Sequence, residues 1–229
     1  MIKIEFLFPE LVTLYGETGN LKYLSKCLPE ARIVTTQHGQ RPAFVDGSVD
    51  FVYIGSMIDN YLGIAIRGLK PYRYDLERYI NSGKIFLATG NALDLFGQYI
   101  DWGNQEVKGL GIFDFYSKGN MDERHNSWFL GEFEDMKIVA NRSTFIREYG
   151  GDSEQFIRLL KGEGMNSRCR FDGVRRYNFY ATSLLGPLLV MNPPFTQYLL
   201  DLLGDGHTLW EKDTAMEAYN NRILAVSAL

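Results

Sequence analysis

The sequence predicts an α/β fold in which helices flank a central, mostly parallel β-sheet. Short apolar runs alternate with helical patterns over residues 1–100, and this alternation is typical of β–α–β units. Two of the runs, FVYI at 51–54 and KIFLA at 84–88, indicate strands that are buried on both faces. Because 45% of the 229 residues are hydrophobic and 14% are aromatic, the chain can fill the large core that such a sheet requires.

The other elements follow from local patterns. The helical pattern of residues 59–82 is interrupted by Gly68 and Pro71. Residues 109–150 combine many Phe, Trp, Ile and Val residues with turn residues and predict an antiparallel excursion, whereas the polar residues 151–178 indicate a loop with a helical turn near 156–160. No repeat or linker is visible, so we predict a single domain over 1–229. Further strands are predicted at 2–8, 32–36 and 180–185, and further helices at 21–28, at 91–99, around 199–203 and at 208–229.

Composition argues against several classes of function. The net charge of −4 and the lack of a long basic run argue against nucleic acid as a partner. Nothing resembles a transmembrane span or a signal peptide. The two cysteines, Cys27 and Cys169, and the three histidines show no metal-ligand spacing, so no metal or other cofactor is predicted. Two lone cysteines in a chain without a leader indicate free thiols and a cytoplasmic protein.

The turn ATGN at 88–91 lies between a predicted strand and a predicted helix. Many enzymes hold a nucleophile in such a turn, where backbone N–H groups stabilise an oxyanion. This turn contains no cysteine or serine, and Thr89 would attack a substrate only with a base beside it. The simpler interpretation is a tight turn with Asn91 capping the helix, and local chemistry favours it.

Two other loops contain candidate ligand-binding residues. Gly55 and Ser56 follow the strand at 51–54, where glycine would let the backbone approach a ligand, although local chemistry favours a capped loop with Asp59 opening a helix. Arg124 lies in the polar stretch DERHNSW and could hold a carboxylate, or it could be a solvated loop charge.

Taken in order, five segments resemble class I glutamine amidotransferases of the cobyric acid synthase type. The nearest subgroup is the small amidotransferase subunit of lipid II isoglutaminyl synthase, and the resemblance implies a flavodoxin-like fold. The segments are FLFPELVTLYGETGNLKYL at 6–24, DFVYIGSMIDN at 50–60, KIFLATGNALDLFGQY at 84–99, VKGLGIFDFYS at 107–117 and TSLLGPLLVMNPPFTQYLLDLL at 182–203.

The resemblance also implies which positions would carry glutaminase chemistry. In this family a cysteine in the turn after a central strand, the nucleophile elbow, attacks the glutamine side-chain amide, and a histidine from the late strand activates it. In this chain the elbow is the turn at 88–91. The cysteine position falls on Gly90, or on Thr89 after a one-residue shift, and the histidine position falls on Leu185. The glycine-rich oxyanion loop becomes 55–57, with Ser56 and a bulky Met, and the glutamine of the elbow helix becomes Asp94.

These coincident departures predict a protein that keeps the scaffold without the glutaminase activity. The resemblance implies a binding or regulatory subunit for a Mur-ligase-like or other amidoligase partner. The old pocket would then hold a small amino-acid-like ligand. Its predicted lining residues are Gly55, Ser56, Gly90, Asn91 and Arg124.

Two alternatives remain open at this point. The first is an active glutamine amidotransferase subunit that supplies ammonia for cell-wall precursor or cobyric-acid-type amidation, with Cys27 or Cys169 as a displaced nucleophile. The second is an enzyme with new chemistry in the old pocket, for which Thr89, Asp94 and His125 are the candidate residues.

Overall fold

The computed structural model describes residues 1–229 and is centred on a nine-stranded sheet. Five strands at one side are parallel to one another, and the remaining four extend the sheet by antiparallel pairing. In spatial order the strands are β2 (Arg32–Thr36), β1 (Lys3–Leu7), β3 (Phe51–Ile54), β4 (Ile85–Thr89), β13 (Phe179–Thr182), β12 (Phe171–Arg176), β11 (Gln155–Lys161), β8 (His125–Phe133) and β9 (Met136–Thr144).

The parallel half confirms the predicted α/β class. The strands β2 and β3 have the predicted bounds, and every residue of β3 and β4 is buried, as their apolar runs require. The strands β1 and β3 are parallel, but the chain adds β2 on one side of β1 and then β3 and β4 on the other. Ligands of open α/β sheets bind beside such a change in strand order, outside the carboxyl ends of the strands. The loops that follow β1, β3, β4 and β13 therefore outline the candidate site.

Six helices accompany the sheet. Pro71 separates α2 from α3, as predicted, and Pro193 opens α5 because proline fits the first turn of a helix. None of the helices is both long enough and apolar enough to span a membrane. Their bounds are α1 (Thr18–Cys27), α2 (Asp59–Leu69), α3 (Arg73–Asn81), α4 (Leu188–Met191), α5 (Pro193–Leu202) and α6 (Lys212–Ala228).

The helix predicted at 91–99 is wrong. The chain forms a 3-10 helix over Gly90–Phe96 and then enters a strand at Tyr99. The backbone N–H groups of Leu110 and Ile112 bind the carbonyls of Leu95 and Phe96, at 2.9 and 3.0 Å, so those carbonyls serve the next loop rather than an α-helix. The ring of Phe96 also packs between Phe86 and Phe179, with centroid distances of 5.4 and 4.9 Å, which fixes the turn on the sheet.

The antiparallel part is larger than the predicted excursion at 109–150. It begins at Tyr99 and includes β11 and β12, so the loop and helical turn predicted for 151–178 are wrong. Charged residues interrupt the apolar pattern of both strands and hide them in the sequence. A separate four-stranded sheet consists of β10 (Ile146–Gly150), β7 (Phe115–Gly119), β5 (Tyr99–Asp101) and β6 (Glu106–Lys108). Its strands pair antiparallel except for β5 and β7, which are parallel.

Candidate functional site

Three loops meet at the carboxyl ends of β3, β4 and β13. They carry Gly55 and Ser56, Gly90, and Leu185 respectively. The Gly90 N–H donates to the carbonyl of Leu184 at 3.0 Å, which ties the elbow to the late loop. The structure therefore brings together the residues that the sequence placed in three separate segments.

The Cα of Gly90 faces the loops after β3 and β13. Its φ of +60° lies in the left-handed region that favours glycine. A Cβ built on Gly90 would lie 1.7 Å from the Ser56 Oγ and 3.0 Å from the Leu185 Cδ2. Any side chain at position 90 would consequently face Ser56 and Leu185, and it would fit only if Ser56 moved.

We expect Gly90→Ala to lower the free energy of unfolding by about 2–5 kcal/mol, since a left-handed backbone costs about 1–2 kcal/mol and overpacking adds about 1–3 kcal/mol. Gly47 is a matched control because its φ is +65° and nothing lies within 4 Å of a Cβ built there. Urea denaturation should show that Gly47→Ala loses only the backbone part, and that Ser56→Gly partly rescues Gly90→Ala. Equal losses at positions 47 and 90 would contradict the steric argument.

Asn91 does not cap a helix but links the elbow to the loop after β3. Its side-chain oxygen accepts from the Met57 N–H at 3.0 Å, and its amide nitrogen donates to the Met57 carbonyl and to Asp59 Oδ1, both at 2.8 Å. These bonds hold the two loops in a fixed relation.

A buried polar cluster supports the elbow from below. The hydroxyls of Thr89 and Tyr53 both donate to the Glu17 carboxylate, and the Asn20 amide donates to it at 3.2 Å. A Cβ on Gly55 would lie 2.7 Å from this carboxylate, so only glycine fits there. Burial raises the pKa of Glu17, whereas these hydrogen bonds lower it. Because Thr89 is fully buried in this cluster, no substrate reaches its hydroxyl.

A small cavity lies beside the elbow, with a volume of about 50 Å³. Ligand pockets commonly span about 300–1,000 Å³, so this space holds a few atoms rather than a whole amino acid. Arg124 stands at the rim, where it donates to Tyr15 Oη at 3.0 Å and to Ser143 Oγ at 3.1 Å. The lining residues are Leu14, Tyr15, Ser56, Met57, Asp59, Asn91, Ser143, Thr144, Phe145, Glu148, Ser183 and Leu185.

The floor of the cavity rests on a buried ionic network around Arg142. The Arg142 guanidinium donates to Asp172 Oδ1 at 2.9 Å and to Glu148 Oε2 at 2.8 Å. It also donates to the Ser183 hydroxyl and to the Met165 carbonyl. Since Glu148 and Ser183 line the cavity, this network fixes the shape of the site.

Glu148 should give the stability of the protein a distinct pH dependence. Burial raises its pKa from 4.5 to about 7, although Arg142 opposes the shift. Between these values the folded protein binds more protons than the unfolded chain, so the free energy of unfolding falls as the pH rises through this window. We expect Glu148→Gln to reduce that fall in urea titrations, whereas Glu123→Gln, at an exposed position, should not. An unchanged pH dependence in Glu148→Gln would contradict the assignment.

The remaining candidate groups do not assemble into a catalytic set. No cysteine or histidine lines the cavity. The Cys27 Sγ accepts the Trp210 N–H at 3.3 Å, and Cys169 lines a separate pocket without histidine. His125 pairs with Ser127 Oγ at 2.8 Å. Asp94 accepts from Ser117 Oγ at 2.5 Å behind the cavity, and burial raises its pKa well above the usual range.

Several important residues had no signal in the sequence. Glu17 and Glu148 look like ordinary surface charges in LYGETGN and IREYG, and Arg142 looks like a solvated residue of a strand. The burial of Glu17 depends on its contact with Thr89, and that of Glu148 on the pairing of β10 with β7, both of which join distant parts of the sequence.

No protein-family model matches the chain. The GatD subunit of lipid II isoglutaminyl synthase (glutamine-hydrolyzing) from Streptococcus pneumoniae (strain ATCC BAA-255 / R6) is 24% identical over 202 residues, covering 83% of this chain and 76% of the relative. The corresponding subunit from Staphylococcus aureus (strain N315) is 24% identical over 203 residues, covering 87% of this chain and 83% of the relative.

Three solved structures of glutamine amidotransferases or a glutaminase domain have a similar fold. One crystal structure of a glutamine amidotransferase has a TM-score of 0.53 at 15% identity and covers 86% of this chain and 97% of that chain. A glutamine amidotransferase from Thermotoga maritima has a TM-score of 0.52 at 9% identity, covering 96% of this chain and 90% of its own. The glutaminase domain of Trypanosoma brucei CTPS, with bound acivicin, has a TM-score of 0.52 at 11% identity, covering 89% and 92%. The predicted glutamine amidotransferase-like fold is thereby confirmed.

Proposed function

We propose that this chain is a non-hydrolysing amidotransferase-like subunit that acts by binding an amidoligase of the Mur-ligase type. Its homology to GatD subunits and its glutamine amidotransferase fold support this proposal. The observation that carries the proposal is the pairing of Gly90 with Leu185, whose Cδ2 lies 3.0 Å from a Cβ built on Gly90. These are the two positions where the family resemblance would put a cysteine and its histidine.

Amide hydrolysis by this mechanism needs a thiolate and a base that takes its proton. Gly90 has no side chain, and the Leu185 side chain accepts no proton. Neither Cys27 nor Cys169 lines the cavity beside the elbow. The site therefore lacks the reacting groups that this mechanism needs.

The surface around the site supports a binding role. Tyr15 and Trp128 are each 42% exposed, and Ile58 is 44% exposed beside the cavity lining. Arg124 stacks over the ring of Phe145 at 5.5 Å in the same region. Aromatic and arginine side chains carry much of the binding energy at protein interfaces, so this surface suits a protein partner.

A paired assay tests the proposal. The purified protein, alone and co-expressed with an amidoligase of the Mur-ligase type from the same organism, is given glutamine, and glutamate release is followed. We expect no glutamate release and stable co-purification with the ligase. Tyr15→Ala and Trp128→Ala should weaken the complex, whereas Tyr74→Ala, 80% exposed on α3, should not.

Two other results would each change the proposal. Glutamate release that a thiol alkylator abolishes would replace the proposal with the alternative of an active amidotransferase subunit. Absence of any ligase complex, in turn, would remove the proposed partner while leaving the lack of hydrolysis intact.

A further inference from the structure

We propose that the chain forms a homodimer through the outer face of the four-stranded sheet, with the same face of a second copy as its partner. The inference rests on the tyrosines and charges of that face. It goes beyond the proposed subunit role and would stand even if no ligase bound this chain.

The four-stranded sheet has one buried face and one outer face. In β7 and β10 buried residues alternate with residues that are at least partly exposed, and in β5 the buried Ile100 lies between two partly exposed neighbours. Such alternation is typical of a sheet that packs on the core with one side only. The outer face is therefore available to a partner.

A row of three tyrosines crosses this outer face. Strand pairing places Tyr99 beside Tyr116 and Tyr116 beside Tyr149, and the rings are stacked with centroid distances of 5.2 and 5.4 Å. Lys108 of β6 lies opposite Tyr99 and completes the row. Tyrosine is enriched at protein interfaces because its large, rigid ring supplies contact area at a small cost in conformational entropy. The row thus provides an aromatic centre for a contact with another protein surface.

The next row along the strands is divided by charge. The strand register places four charged residues side by side, in the order Glu106, Asp101, Lys118 and Arg147. The strands β6 and β5 contribute the carboxylates, and β7 and β10 contribute the cations. Among the charged side chains of the two rows, only Arg147 has an ion-pair partner, Glu163 at 3.1 Å. The Lys118 Nζ lies 5.8 Å from the ring centroid of Tyr116 and makes no ion pair with the neighbouring Asp101.

This order of charges makes the face complementary to itself. A two-fold axis that runs along the strands, between β5 and β7, would place a second copy face to face with its strand order reversed. Each Asp101 would then oppose Lys118 of the other copy, and each Glu106 would oppose Arg147. Such a contact is isologous, as in most dimers, and it keeps the strands of the two sheets nearly aligned, as packed sheets commonly are.

The tyrosine row favours the same axis. Tyr99 would oppose Tyr116 of the other copy, and Lys108 would oppose the ring of Tyr149, so aromatic contacts would lie beside the ion pairs. An axis across the strands would instead set Asp101 against Tyr99 and leave that carboxylate without a cation.

The size of the face limits the strength of the dimer. Four strands about 4.8 Å apart and three to five residues long cover about 300 Å² of flat sheet. A standard stable interface buries about 800 Å² per partner, so we expect a weak dimer that forms as the concentration rises. Beyond β10, Asp152 and Arg168 line a pocket with Tyr149, and their opposite charges leave the pattern of the face unchanged.

Sedimentation velocity of the full chain, without any ligase, tests for the dimer. We expect monomer at about 1 μM and a growing fraction of dimer toward about 1 mM, which corresponds to a dissociation constant between these limits. A chain that remains monomeric up to about 1 mM would overturn the proposal.

Charge reversal tests the arrangement. Asp101→Lys would place lysine against Lys118 twice, and Lys118→Glu would place glutamate against Asp101 twice, so each variant alone should dimerise at least about tenfold more weakly. An equal mixture of the two variants should recover dimerisation, because every pair across the mixed dimer again joins opposite charges. Asp205→Lys makes the same change of charge in an exposed loop and should dimerise as the parent does.

Two further variants complete the test. Tyr116→Ala should weaken the dimer, since it removes the central ring of the row. Glu106→Lys keeps the test valid if Asp101→Lys fails to fold, because Glu106 is exposed on an edge strand and would oppose Arg147. Unchanged dimerisation in the folded charge variants, or a mixture that does not recover, would overturn the proposed arrangement. No measurement involves a ligase or glutamine, so this proposal and the proposed function fail independently.

Discussion

Replacement of Arg142 by methionine should lower the free energy of unfolding by about 3–5 kcal/mol, the cost of leaving buried charges without their partner. Arg142 is fully buried, and its guanidinium contacts Glu148 at 2.8 Å and Asp172 at 2.9 Å. Asp172 also accepts from the Ser183 N–H at 3.2 Å. Methionine would fill most of the volume but would leave both carboxylates without a cation.

Urea denaturation at neutral pH measures this loss. Arg158→Ala is the matched control on β11 of the same sheet, because the Arg158 side chain is 64% exposed and pairs with Glu132 at the surface. Exposed ion pairs contribute about 0–1 kcal/mol, so the control should change little. The double variant Arg142→Met with Glu148→Gln should lose less than the sum of the two single variants, since the residues interact directly. A loss below about 1 kcal/mol for Arg142→Met would show that the network does not hold the cavity floor.

The strands of the parallel half could be predicted because a strand that is buried on both faces consists of consecutive apolar residues. FVYI and KIFLA have no other reasonable interpretation, and the observed strands differ from them by at most one residue. The strand β12 could not be predicted in this way. It contains Asp172, whose burial is explained by Arg142, thirty residues earlier, and by donors at Thr182 and Ser183 on and after the next strand.

The helix predicted after the elbow failed for a similar reason. Its residues have good helical patterning, yet the loop at 109–113 takes the carbonyl groups that an α-helix would use. Local propensity gave a reasonable prediction, and a tertiary contact overrode it.

Some features of the candidate site could likewise be predicted from the sequence, and others could not. The order of five weak segments was enough to predict that Gly90 and Leu185 belong to one site, and the structure places them together. The order of the segments could not predict that Ser56 would occupy the space of a side chain at position 90. Nor could it predict that Glu17 would bind the Thr89 hydroxyl beneath the turn. Those features depend on distances of a few ångströms between loops, which no single-sequence pattern contains.

The triple variant Ser56→Gly, Gly90→Cys, Leu185→His should release glutamate from glutamine at about 10²-fold or more above the parent protein, the lower range of what a positioned base contributes. The three changes form a set because a Cβ at position 90 would lie 1.7 Å from the Ser56 Oγ and 3.0 Å from the Leu185 Cδ2. Removing the serine side chain makes room for the thiol, and a histidine at 185 would stand close enough to take its proton.

The double variant Ser56→Gly, Gly90→Cys is the control that isolates the base. Its introduced thiol has space but no histidine, so it should be alkylated by iodoacetamide with the pH profile of an ordinary cysteine and should release little glutamate. In the triple variant the alkylation midpoint should move to lower pH, with the modified residue identified by mass spectrometry against Cys27 and Cys169. This shift reports the thiol–imidazole pair even if glutamine enters the small cavity slowly. A folded triple variant with neither the shift nor glutamate release would mean that positions 90 and 185 are not placed as the nucleophile and base of an amidotransferase.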